Sequence, residues 1–204
     1  MNNNLPNWLE KHINIFDNEE IHHAFIISGS MGIGKSLLIE NLAEKILNNK
    51  ISLENNPDFH NLKILAEKKL IGINQIHELR DKLYESSFLG KNKVAVINEI
   101  EKISIDGLNA ILKILEEPPK NTYFLLSTNF LNQIPLTSQS RCFDIRISTP
   151  EITQSLEWLS DYQTKDALKA LEITNNLPIK AKHFLDNKLL DARDNFVKDV
   201  SGII

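Results

Sequence analysis

The stretch Ala24-Phe25-Ile26-Ile27-Ser28-Gly29-Ser30-Met31-Gly32-Ile33-Gly34-Lys35-Ser36-Leu37-Leu38 decides the fold. A short apolar run of strand type enters a turn with three glycines, and a segment of helical period follows at 36–47. Residues Gly29 to Ser36 satisfy Gly-x-x-x-x-Gly-Lys-[Ser/Thr], and they lie between a strand and a helix, the context that the chemistry of this pattern requires. Gly29, Gly32 and Gly34 let the backbone curl so that successive N–H groups point at a phosphate, and the following helix adds its positive N-terminal end. Lys35 then reaches the β- and γ-phosphates, and the Ser36 hydroxyl becomes a ligand of a bridging Mg²⁺. ATP or ADP with Mg²⁺ is the expected cofactor. The bland alternative is a glycine-rich turn carrying Gly-Lys-Ser by chance, which the flanking strand and helix disfavour.

Further short apolar runs at 62–65, 93–97, 123–127 and 142–147 are separated by segments of helical period at 73–84 and 105–116. Such alternation predicts a parallel sheet of five strands with helices on both faces, a doubly wound α/β fold. In 105–116, Ile105, Leu108, Ile111, Leu112 and Leu115 form one apolar stripe expected to face the core. After Thr149-Pro150 the strand pattern stops, and helices are expected at 151–160, 164–174, 178–186 and 188–200. The chain therefore divides into a core at 1–149 and a small helical unit at 150–204.

Bulk properties narrow the function. With 204 residues and 42% hydrophobic content, one sizeable core and a small appendage are the most the chain can build. A formal charge of −4 argues against a protein that coats DNA by itself, so any DNA is expected to be held through a partner. Cys142 is the single cysteine, which excludes an intramolecular disulfide and a multi-cysteine zinc site and predicts a reducing, cytoplasmic setting. It enters an apolar strand and is expected to be buried and inert. No uninterrupted apolar run has membrane-spanning length, and no membrane association is expected. His22, His23 and His60 are dispersed without ligand spacing and are read as structural.

The third strand ends in Asn98-Glu99, where a phosphate-loop ATPase places an Asp for the metal and a Glu to position water. Glu99 is the candidate base. Asn98 lacks the charge that draws a hard divalent cation. A solvated strand end is the competing account of both.

The run Leu108-Asn109-Ala110-Ile111-Leu112-Lys113-Ile114-Leu115-Glu116-Glu117-Pro118-Pro119, followed by Asn121-Thr122, Thr128-Asn129, Thr137 and Ser140-Arg141-Cys142, resembles the core of AAA+ clamp-loader subunits. The likeness extends upstream through Asn98-Glu99 and Asn56-Pro57-Asp58-Phe59-His60 to His23-Ala24, and among these subunits it looks more like the delta-prime branch of bacterial DNA polymerase III than the motor branch. The resemblance implies a strand order of 5-1-4-3-2 and a helical lid after Pro150. It also implies that Arg141 is a finger reaching a neighbour's ATP. A guanidinium suits that task because it is always charged and binds two phosphate oxygens at once. A surface arginine paired to Glu116 or Glu117 is the alternative. Asn129 matches the position of a residue that senses the γ-phosphate, although a strand-to-loop turn explains it almost as well.

The chain departs from the family pattern in several places. The four-cysteine zinc module of many members is missing, and Ile179 stands near the position of the motor branch's lid arginine, with Lys180 beside it as a weak substitute. The third, collar domain of the family is expected to be absent, either in a shortened paralogue or because the sequence is a fragment. The leading expectation is a stator with weak or no ATPase activity of its own, which presents Arg141 to a motor neighbour. Its expected partners are the motor and delta subunits, with the sliding clamp and primed DNA engaged indirectly. A self-sufficient ATPase and a solitary nucleotide-binding module outside replication are the alternatives.

Overall fold

The computed structural model describes residues 5–14, 22–89, 91–190 and 192–193. In chain order the elements are α1 (Asn7–Ile13), β1 (Ala24–Ser28), α2 (Lys35–Leu47), β2 (Phe59–Leu62), α3 (Ile73–Tyr84), β3 (Lys93–Ile97), α4 (Ile105–Glu116), β4 (Thr122–Thr128), α5 (Leu136–Gln139), β5 (Phe143–Arg146), α6 (Ile152–Trp158), α7 (Thr164–Ile173) and α8 (Pro178–Asp186). The helix expected at 188–200 lies largely outside the described residues.

The strands form one sheet of order β2-β3-β4-β1-β5, every pairing parallel, as the family resemblance implied. Every residue of β1 and β3 is buried, which is why these strands read as continuous apolar runs rather than alternating ones. Alternate residues serve opposite faces. Phe25, Ile27, Val94, Val96 and Leu125 meet Leu38, Ile39, Leu42 and Ile46 of α2, while Ala24, Ile26, Ala95, Ile97, Phe124 and Leu126 meet α3 and α4.

Two expectations are corrected. The second strand is Phe59–Leu62 and not 62–65, because its register runs from Phe59 opposite Val94 to Leu62 opposite Ile97, the last residue of β3. Leu65 is left beyond the sheet and exposed. Buried Asp58 fixes the strand's start, since its carboxylate accepts from the Phe88 and Leu89 N–H groups and from the Ser87 hydroxyl. The apolar stripe of α4 is also rotated: Ile105 is 81% exposed, and Gly107, Ile111, Ile114 and Leu115 face inward. Gly107 sets this phase, because a Cβ there would lie 2.8 Å from Cγ2 of Ile103 and only a glycine lets the helix approach so closely. Leu108 and Leu112 flank the buried face, half-buried.

Beyond β5 the described chain is helical, with its own cluster of Leu159, Ala167, Ala170, Leu171, Ala181 and Leu190. It joins the sheet through Trp158, which meets Trp8 of α1 edge to face at 5.8 Å, and through Asn176, which donates to the Pro150 carbonyl at 2.6 Å. Among the described residues, no helix is long and apolar enough to cross a membrane.

Candidate nucleotide site

The phosphate loop leaves the C-terminal end of β1, tied to β4 by the Gly29 N–H donating to the Thr128 carbonyl at 3.4 Å. Gly32 and Gly34 have φ of +89° and +112°, a backbone region that side chains rarely adopt, so the curl depends on glycine at both. Two other parts of the chain close on these glycines. A Cβ at Gly32 would lie 2.8 Å from Cβ of Lys180 at the start of α8, and one at Gly34 would lie 2.8 Å from Cδ1 of Leu9 and 3.7 Å from Cγ1 of Ile179. The Trp8 indole also donates to the Ile33 carbonyl at 3.0 Å.

Lys35 opens α2 and is buried. Its ammonium donates to the Gly29 carbonyl at 2.7 Å, the Ser30 carbonyl at 3.1 Å and Oδ1 of Asn129 at 2.7 Å. Burial lowers its pKa from the ordinary lysine value, and the charges of Glu101 and then Glu99 act in the opposite direction. Ser36 follows on the exposed side of the helix start.

The parallel pairing of β3 and β4 brings their C-terminal ends together, and with them the polar residues just beyond. The Ser127 hydroxyl donates to Oδ1 of Asn98 at 3.2 Å and accepts from the Glu99 N–H at 3.3 Å. Glu99 has φ of +54°, a strained conformation for a residue with a side chain, and such strain concentrates at functional sites. Its carboxylate pairs with Lys102 at 2.8 Å. The Asn129 amide donates to Glu99 at 3.4 Å and to Oε1 of Glu101 at 3.2 Å, and the Asn129 backbone N–H reaches the same Glu101 oxygen at 3.0 Å.

The structure thus gathers Gly29, Gly32, Gly34, Lys35, Asn98, Glu99 and Asn129 at one end of the sheet, with Ser36 on the adjoining helix. These residues fit a polyphosphate: a glycine curl, a helix N-terminus, one buried ammonium, a hydroxyl and a carboxylate for a divalent ion. Arg141 is not among them. It lies between α5 and β5, where its guanidinium donates to the Thr137 carbonyl and pairs with Glu116, one of the two partners considered from sequence. Cys142 is half-buried, with its thiol pushed up to about 12 by burial, which excludes ready nucleophilic chemistry. His23 bonds the Leu115 carbonyl at 3.0 Å and His22 the Ala24 carbonyl at 2.9 Å, both structural contacts.

Sequence reasoning missed Glu101, Trp8 and Leu9. No spacing rule points to Glu101. Helix α1 did leave a signal, Pro6 ahead of Trp8 and Leu9 with acidic Glu10 in the first turn.

A parallel sheet of this order, with a phosphate loop after β1 and polar residues at the ends of β3 and β4, defines a P-loop core of the AAA+ class. A DNA polymerase III gamma subunit-related protein from Thermotoga maritima shares the fold, with a TM-score of 0.61 at 23% identity over 82% of this chain and 58% of that one. The family described as "DNA polymerase III, delta subunit" matches residues 5–151, and the chain belongs to that family. Among relatives, the DNA polymerase III subunit delta-prime of Buchnera aphidicola subsp. Schizaphis graminum is 31% identical over 96% of this chain and 65% of its own length. Subunit gamma of the same organism is 32% identical over 66% of this chain and 40% of its own length, so the delta-prime likeness reaches through the C-terminal helices and the gamma likeness covers less. The chain spans 65% of the length of that delta-prime relative.

Proposed function

We propose that the chain is a delta-prime-like stator of a bacterial clamp loader, a cytoplasmic subunit that presents Arg141 to ATP held by a motor neighbour. It works beside motor and delta subunits and engages the sliding clamp and primed DNA through them. Residues 1–149 act as the AAA+ core and 150–204 as its lid.

One contrast carries this reading. The chain's own phosphate lysine already has three protein acceptors, and Ile179, an uncharged side chain, covers Gly34. Arg141 by comparison is held outside the site by the Thr137 carbonyl and by one partly exposed ion pair to Glu116, with side chains 31% and 48% accessible. Pairs of that kind contribute about 0–1 kcal/mol, so freeing the guanidinium for a phosphate costs little. Asn98 adds to the contrast, because a neutral amide replaces the usual metal-binding carboxylate.

The test is clamp-stimulated ATP hydrolysis by a complex reconstituted from motor subunits and this chain. An arginine supplied across an interface accelerates phosphoryl transfer about 10³–10⁵-fold, so Arg141→Ala should remove most of the turnover at that interface while leaving this chain folded. Arg141→Lys should restore little, since a point charge cannot make the two-pronged contact. Normal assembly with unchanged turnover in both variants removes the mechanism. One observation favours a second reading, a self-sufficient ATPase: Lys35 and Glu99 share Asn129, and Ser36 adjoins Lys35 at the helix start. Hydrolysis by the purified chain that is lost in Glu99→Gln selects it.

A further inference from the structure

Glu101 has no part in the roles proposed above, yet of the two carboxylates at the site it is the one bound more tightly into it. Oε1 accepts both the backbone N–H and the amide of Asn129. Oε2 is buried without a hydrogen-bond partner. Oδ1 of Asn129 in turn accepts from the Lys35 ammonium. The amide can sit only one way round, because turning it over would set its NH₂ against an ammonium and its oxygen against two carboxylates.

We propose that Glu101 is a positioning residue that latches the phosphate loop, holding Asn129 so that its oxygen ties Lys35 back against the loop's own carbonyls. The latch regulates the nucleotide site proposed above and rests on that reading. Its consequence follows from the hydrogen-bond inventory. The polar atoms of the Asn129 side chain are engaged, with Oδ1 on Lys35 and Nδ2 on Glu99 and Glu101. A terminal phosphate that takes an amide proton from Asn129 and an ammonium proton from Lys35 has to break the contacts on both sides of that amide. It also brings negative charge towards two carboxylates. A diphosphate makes no demand on Asn129 at the γ position, so the latch favours ADP over ATP. Removing the charge at position 101, with its shape kept, weakens the bonds that hold the amide and with them its grip on Lys35.

The experiment measures Lys35 directly in the folded full chain. Acetylation of Lys35 by limiting acetic anhydride is followed by peptide mass spectrometry, with exposed Lys120 as the internal reference, in wild type, Glu101→Gln and Asn129→Ser. Both variants should label Lys35 at least about threefold faster, because the ammonium loses a partner or a supporting charge. Calorimetric titrations with Mg-ATP and Mg-ADP should show the ADP preference shrinking in Glu101→Gln. Unchanged Lys35 labelling in folded Glu101→Gln and Asn129→Ser overturns the latch. Faster labelling with an unchanged ATP:ADP ratio overturns its role in discrimination. Faster labelling in a chain that binds neither nucleotide upholds the latch and defeats the nucleotide reading on which its regulatory meaning rests.

Discussion

Lys35 is the side chain on which the proposed site rests, as the cation the loop turns towards its own curl. Its replacement by alanine should abolish detectable ATP and ADP binding by calorimetry, and equal affinity in Lys35→Ala removes this residue from phosphate recognition. Asn98→Asp offers a complementary gain. The Ser127 hydroxyl already donates to this position, so an aspartate keeps its partner and adds the charge that a divalent ion prefers. The Mg²⁺ dependence of nucleotide affinity should steepen, and an unchanged magnesium titration counts against the position's role. At this scale the motif residues were legible because local backbone chemistry fixes them: glycines that permit positive φ, a lysine at a helix start, an amide and an acid at a strand end. Glu101 was illegible because its bonds to Asn129 join positions 28 apart in sequence that only the pairing of β3 with β4 brings together.

Among the elements, α1 and the start of α8 convert the phosphate loop from a bare turn into a packed one. Gly34 shows the cost of disturbing that packing. An alanine there meets both a left-handed backbone and Leu9 at 2.8 Å, so Gly34→Ala should lose at least about 1–2 kcal/mol in urea unfolding from the backbone alone. Gly72, whose added Cβ meets nothing within 4 Å and whose φ is negative, should tolerate the same change and serves as the control. Helices and central strands were readable because their periods, 3.6 and a continuous apolar run, follow from being covered on one side or on two. The phase of α4 was not, because it depends on how closely Gly107 lets the helix approach Ile103, which is a packing fact. Edge strand β2 hid behind His60 and Asn61, polar residues that a half-covered strand can carry.

For the whole molecule, the sheet's two-sided burial makes stability cooperative and pH-sensitive. Phe124 lies fully buried on the face shared with α3 and α4, so Phe124→Ala should cost about 3–5 kcal/mol, read as a lower denaturant midpoint. His12, His23 and His60 all have pKa values lowered from 6.5, in each case chiefly by burial. The unfolded chain therefore takes up protons first as pH falls. Stability should be full above about 6.5, decline as pH drops through that value towards the lower folded ones, and level off below them. Denaturant midpoints across this range check the sign, and a flat profile refutes it. Partial exposure of these rings keeps the effect small. The joint between phosphate loop and C-terminal helices has one more consequence. The chain's two tryptophans are Trp8, bonded to the Ile33 carbonyl, and Trp158, 5.8 Å away in α6. Because they meet there, tryptophan emission, excited selectively at its long-wavelength edge, comes from this one spot, and it should change whenever the C-terminal helices shift on the loop. No dye is needed to watch that motion, and Trp158→Phe leaves a single tryptophan, bonded to the loop itself.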